Sequence, residues 1–358
     1  MPGLLYREDI DAVRDRLTTW WNGGDIGRPA IKITAPRAKP LEDIPALPQP
    51  SGWMTDYAIT DFAYRVNLSA RACANTYYLG EAVPTVAPDL APGCLSLYLG
   101  CEGVEHPGTV WLKPCIDDPN QARFEFDPNN KYWQFTLKLA KEQLRLAKGK
   151  FQIQFPDLIE GLDTLAGMRH NNKLLTDLLD RPEWVSNALS QITPLYFRYY
   201  DPLYELLKDE RGGSNFWCWA PGRIAKLQCD FSAMISAHMY REFMLPVLLD
   251  MTEKLDYSMY HWDGPGAIQH HDTLLSVPRL NMLQWTAGDG HEPMSDKRWW
   301  PLYHKTTEAG KKIFIGGLTA ADIPVFKKEF GQRFKLFLLD MSANSVAEAE
   351  RVLQMASE

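Results

Sequence analysis

Apolar and polar positions alternate in two distinct rhythms along this chain, and from about residue 130 the two rhythms take turns. Lys131–Lys148 repeats its apolar residues at helical spacing, which predicts an amphipathic helix. Phe151-Gln-Ile-Gln-Phe155 alternates with period two, as a strand does. Helices are then expected over 172–179 and 182–207, followed by strand-like Phe216-Trp-Cys-Trp219 and 225–230 and a helix over 237–255. The remaining predicted strands are 257–262, 281–285, 312–315 and 336–339, interleaved with helices around 267–276, 299–309, 320–329 and 345–356. Strands separated by helices and short loops imply a parallel sheet. No Gly-x-Gly-x-x-Gly follows the first strand, so a closed (β/α)8 TIM barrel is favoured over an open doubly wound sheet.

The N-terminal part reads less regularly. Residues 7–21 and 55–79 are expected to be helical, and Pro29–Thr34 a strand. Between them lies a loop holding Pro36, Pro40, Pro45, Pro48 and Pro50, and residues 80–115 are broken by Gly and Pro around short runs such as Thr109-Val-Trp-Leu112. The expectation is one α/β domain over 1–358, a barrel with an N-terminal helical and loop extension.

Buried parallel strands are normally continuous apolar runs. Here Gln152 and Gln154 share one strand face, Gln228 and Asp230 another, and His261 and Asp263 a third, with Gln284 near the end of a fourth. Asp157 follows its strand by two residues, and Asp340 ends another. Unpaired buried polar groups cost about 1–3 kcal/mol each, so these groups point to a polar site at the C-terminal ends of the strands. In it His261 is a metal ligand, a general acid/base or a hydrogen-bond donor, and Asp263 orients it, ligates a metal or takes a proton. Trp217, Trp219 and Trp285 offer flat walls for a ring-shaped substrate. His270-His271-Asp272 reads as the first turn of a helix at the rim.

Composition narrows the classes. A net charge of −7 without a clustered Lys/Arg face speaks against nucleic-acid binding. No run approaches eighteen apolar residues and the N-terminus carries no basic-then-apolar segment, so a cytoplasmic protein away from membranes is expected. Six cysteines without a Cys-x-x-Cys pair suit reduced thiols, with Cys94 and Cys101 the pair considered for a bridge in an oxidising setting. Twelve Trp, some paired as Trp20-Trp21 and Trp299-Trp300, suit a large core and an aromatic pocket. No Gly-x-Ser-x-Gly elbow, P-loop or dinucleotide fingerprint occurs.

Five segments together carry a resemblance: Asp157-Leu-Ile-Glu-Gly-Leu-Asp-Thr-Leu-Ala166, Gln228-Cys-Asp-Phe-Ser-Ala-Met-Ile-Ser236, Glu242-Phe-Met-Leu-Pro246, His261-Trp-Asp-Gly-Pro-Gly-Ala267 and Gln284-Trp-Thr-Ala-Gly288. The chain resembles the uroporphyrinogen decarboxylase superfamily over roughly residues 15–355, and within it the branch labelled corrinoid-related or trimethylamine corrinoid protein-like. The resemblance implies a (β/α)8 barrel and two chemistries, cofactor-free decarboxylation of a tetrapyrrole or methyl transfer to or from a corrinoid. In the methyltransferase branch a His-x-Cys pair and a later Cys hold zinc. His261 falls at the zinc-binding His, Asp263 stands where the Cys would be, and Asp340-Met-Ser-Ala-Asn344 has no Cys.

The resemblance therefore implies a methyltransferase. It would move a methyl group from a small methoxylated or N-methylated donor to cobalamin on a separate corrinoid protein, because Asp-x-His-x-x-Gly is absent here. The expected catalytic residues are His261, Asp263 and Asp230, with Asp157, Trp217, Gln228, Gln284 and Trp285 around the substrate. No tightly bound cofactor is expected beyond a divalent metal such as zinc on His261 and Asp263. The aromatic pairs permit the homodimer common among superfamily members. A cofactor-free decarboxylase or lyase for a small acid, using Asp230 or Asp157, and a barrel that only binds small molecules are the alternatives.

Overall fold

The computed structural model describes residues 3–48, 62–90, 92–106 and 109–358 of the 358, without the side chains of 105, 106 and 109. The N-terminal part of the helix expected over 55–79 lies outside these residues. Its described part is a helix only over Phe62–Asn75. Thr76–Gly80 is instead a strand, lying antiparallel on Ala30–Pro36 from Lys32↔Gly80 to Pro36↔Thr76. Its Thr-Tyr-Tyr-Leu run is β-branched and aromatic, which favours a pleated edge over another helical turn.

The central sheet has seven strands, in the order Thr76–Gly80, Ala30–Pro36, Phe337–Ser342, Lys312–Gly316, Met282–Thr286, Tyr257–Asp263 and Ile224–Gln228. The last six run parallel. The fold is thus α/β with a mostly parallel sheet. Thr85–Val86 and Gln152–Ile153 form a separate two-residue parallel pair. Single bonds continue from it: Glu81 N–H donates to Ile31 O at 2.8 Å, Gln152 N–H to Pro84 O at 2.9 Å and Phe155 N–H to Asn215 O at 2.9 Å. Pro84, Pro88 and Pro156 bracket these short strands, and each removes an N–H that a continuous ladder would need. A strand expected across 216–219 is a hairpin instead, Ser214–Phe216 against Cys218–Ala220, folded at Trp217 with φ of +55°.

The helix Gly161–Arg169 was not foreseen, its two glycines masking it. At the other end of the sheet, Ile10–Trp21 packs against the strand starts. Trp20 Nε1 donates to Lys335 O at 2.8 Å and Trp21 Nε1 to Trp219 O at 2.9 Å. Both rings are buried, as is Trp299, while Trp300 is half-buried. Among the described residues no helix is long and apolar enough to cross a membrane.

Candidate active site

Parallel register builds the site in layers. Gln228, His261 and Gln284 are direct partners across three neighbouring strands, and Asp263 pairs with Thr286 one layer nearer the strand ends. Alternation turns these side chains to one face, with Lys226 a layer deeper opposite Met259. Asp230 lies just past its strand and opens a short 3-10 turn, Asp230–Met234. Ligand atoms of Asp230, His261 and Asp263 all lie within 4.8 Å of one another, the His261 Nε2 to Asp263 Oδ2 distance being 3.9 Å.

The imidazole is oriented from behind. Gln284 Nε2 donates to Trp285 O at 3.0 Å and to Thr286 Oγ1 at 2.8 Å. Its Oε1 therefore faces His261 and accepts from Nδ1–H. That bond fixes the tautomer and leaves Nε2 with a bare lone pair toward the two carboxylates, the arrangement a metal-binding histidine needs. Burial and the nearby Lys226 ammonium both lower the proton affinity of His261 below its ordinary value, which keeps the ring neutral.

Beneath lies a buried ion pair. Lys226 Nζ sits 2.7 Å from Asp157 Oδ1 and 2.8 Å from Oδ2, and also donates to Gln228 Oε1. Gln228 is held on its other side, its Nε2 donating to Asp163 Oδ2 at 3.0 Å and to Asp230 Oδ2 at 3.1 Å. Asp163 also accepts the backbone N–H groups of Asp230 and Phe231 at 2.8 and 2.9 Å, which pins the turn carrying Asp230. Asp230 keeps an exposed face, yet desolvation of its carboxyl by the surrounding residues, then the Asp163 charge, pushes it up to about 7, with Asp263 and Asp157 adding and Lys226 opposing. Burial likewise holds Glu160 well above the usual carboxylate range; its Oε1 accepts Gln228 N–H at 2.9 Å. The site is carboxylate-rich and Lys226 only partly offsets the repulsion at Asp230, which favours a cation there.

Trp217 stands edge-on to His261 at 5.5 Å between ring centroids, with Lys226 Nζ 5.6 Å from its ring centre. It also lines a cavity of ≈ 380 Å³ with Gln154, Tyr78 and the Lys32–Asp340 ion pair, 2.8 Å long. Roomier hollows lie elsewhere, one of ≈ 420 Å³ bounded by Tyr6, Phe62 and Lys150 and one of ≈ 500 Å³ that shares Tyr78, but neither is lined by Trp217, His261, Asp263 or Asp230.

No family model matches the chain, and no curated protein matches it either. Solved structures do share its fold. A methyltransferase from Methanosarcina mazei superposes with a TM-score of 0.59 over 96% of this chain and 98% of that one, at 10% identity.

Of the residues expected around the site, His261, Asp263, Asp230, Gln228, Gln284, Asp157 and Trp217 come together. Trp285 does not. It faces the opposite side of its strand and packs between Trp262 at 4.8 Å and Trp299 at 5.1 Å, fully buried. Trp219 is also core, its Nε1 donating to Asp209 Oδ2 at 2.7 Å. His270 and His271 are buried rather than at the rim, bonded to Ser232 O and Thr306 Oγ1, each at 2.9 Å. Lys226, Glu160 and Asp163 were missed as site residues. Lys226 had a signal, two residues before Gln228 on the same strand face.

Proposed function

We propose that the chain is a methyltransferase that moves a methyl group from a small methoxylated or N-methylated compound to cobalamin carried by a separate corrinoid protein. The observation carrying this reading is the convergence of Asp230, His261 and Asp263 within 4.8 Å at the ends of parallel strands. The shared fold with a methyltransferase and the segments resembling the corrinoid-related branch support it. On this reading the six parallel strands of the sheet and the Thr85–Val86 and Gln152–Ile153 pair are the eight strands of a (β/α)8 barrel, its interior lined by these polar groups.

The donor set fits a divalent cation of the nitrogen- and oxygen-binding kind. It offers one neutral imidazole nitrogen, anchored through its other nitrogen, and two carboxylates, but no thiolate. His261, Asp263 and Asp230 would hold such an ion; when bound, it supplies Lewis-acid polarisation of the oxygen or nitrogen that loses the methyl group. Gln284 keeps the imidazole aimed. Gln228, clamped between Lys226 and Asp163, keeps the Asp230 carboxylate turned inward. Trp217 forms a wall for the donor, whose remaining polar groups extend toward Gln154, Lys32 and Asp340. The donor's leaving atom retains the C–O or C–N bonding pair and takes up a proton, and the cob(I)alamin nucleophile takes the methyl.

The test is to mix the full chain with cob(I)alamin and a panel of methoxylated aromatics and N-methylated amines. Formation of methylcobalamin with at least one donor, lost in Asp230→Asn, is the expected result. A cofactor-free lyase would instead turn over small acids without cobalamin, and that outcome with no methyl transfer would replace this reading.

A further inference from the structure

Two thiols that methyl transfer does not use lie side by side on another part of the surface. Cys101 follows the short helix Cys94–Tyr98, and Cys115 follows the strand Thr109–Lys113. Their Sγ atoms are 3.7 Å apart, and neither is in a disulfide. Both backbones are pinned: Cys101 N–H donates to Ser96 O at 3.0 Å, while Cys115 and Ile116 N–H donate to Met168 O at 2.9 and 2.8 Å. A disulfide needs about 2.05 Å between sulfurs. The gap can close by turning side chains about Cα–Cβ, with the exposed Cys115 free to move and the buried Cys101 held near Gly167 O at 3.5 Å.

The two differ in the way a reactive pair does. The Cys101 S–H donates to Cys115, which lowers the Cys115 pKa below the ordinary thiol value and favours its thiolate. Three of the other thiols lack both features. Cys73, Cys218 and Cys229 are buried and pushed upward by burial. Cys94, considered above as a partner for Cys101, turns instead to Asp89 Oδ1 at 3.4 Å.

We propose that Cys101 and Cys115 form an oxidisable dithiol, a site where a hydroperoxide such as hydrogen peroxide installs an intrachain disulfide. The Cys115 thiolate attacks one peroxide oxygen, the O–O bond breaks, and the departing hydroxide takes up a proton as water. The resulting Cys115 sulfenic acid is attacked by the Cys101 sulfur; the S–S bond forms, the S–O bond breaks, and a second water carries off the Cys101 proton. The two thiols lose two electrons in total, which reduce the peroxide to two waters. The bridge closes the base of the hairpin formed by Glu102–His106 and Thr109–Lys113, which is already bonded through Cys115 and Ile116 N–H to Met168 O near the C-terminal end of the helix Gly161–Arg169. It depends on neither the metal nor the methyl-transfer reading.

The experiment treats the full reduced chain with one equivalent of hydrogen peroxide, alkylates free thiols and maps peptides by mass spectrometry. Two of the six thiols should be lost. They should reappear as a Cys101–Cys115 linked peptide, be recovered by dithiothreitol and show no cross-link in Cys115→Ser, whose exposed position leaves folding intact. Six thiols remaining in the folded chain overturns the proposal. So does a Cys115 sulfinic acid with Cys101 still free, or a link joining two chains.

Discussion

His261→Ala is expected to lower the affinity of the chain for zinc(II) by more than 100-fold, beyond the roughly 10–100-fold cost of losing a residue that merely orients a ligand. The imidazole contributes the one nitrogen among the three donors, and Nε2 is already bare because the proton sits on Nδ1, which donates to Gln284 Oε1. Alanine leaves Asp230 and Asp263, and Asp230 holds its proton up to about 7. The pH dependence follows in sign: ion uptake must expel that proton, so wild-type affinity falls as pH drops below about 7. Competition with a chromophoric chelator at several pH values measures both effects. An His261→Ala chain that binds zinc as tightly as wild type would place the ion elsewhere.

Lys226→Met should cost about 3–5 kcal/mol of folding stability, the usual consequence of removing one partner from a buried ion pair. The lysine side chain is 1% exposed and that of Asp157 13%, so water can do little to relieve the stranded carboxylate. Gln228 Oε1 loses its donor in the same step. Adding Asp157→Asn should return more than half of the loss, because the uncompensated charge is the larger part of it. The Lys226 charge also opposes protonation of His261, so its removal should raise the imidazole pKa, observable by NMR. Urea denaturation decides the stability claim: a single variant within about 1 kcal/mol of wild type would mean the pair is hydrated rather than buried.

Much of the site was legible because strands have a period of two. His261 with Asp263 is a face-sharing pair that parity alone identifies, and the parallel register then aligns Gln228, His261 and Gln284; Asp230, expected on the Gln228 strand face, instead reaches the site from the turn past the strand end that Asp163 pins. The same rule, carried through, rules out Trp285: neighbours on a strand face opposite ways, so Gln284 and Trp285 cannot both line the site. It also reaches Lys226, whose aliphatic stem suits a core strand while its ammonium waits for Asp157.

The rest depended on backbone turns that sequence patterns do not specify. Glu160 and Asp163 reach the site because Ile159 and Gly161 adopt φ of +59° and +57°, folding the chain back before the helix begins. Isoleucine gives no sign of such a conformation, which its branched side chain disfavours. Trp217 reaches His261 for the same reason, standing at the tip of a hairpin where a continuous strand was expected. In the sheet, alternation and helix spacing located the six parallel strands of the central ladder. The prolines at 84, 88 and 156 interrupt the hydrogen bonding around Thr85–Val86 and Gln152–Ile153, a consequence of N–H groups rather than of hydrophobic pattern.

Titration of the reduced wild-type chain with cobalt(II), followed by visible absorption, tests the metal centre most directly. One ion per chain should bind with the weak d–d bands of nitrogen and oxygen ligands and without an intense thiolate charge-transfer band, since no cysteine belongs to the Asp230–His261–Asp263 set. A chain that takes up no cobalt, or that binds it with a thiolate band, contradicts a metal centre at these three residues.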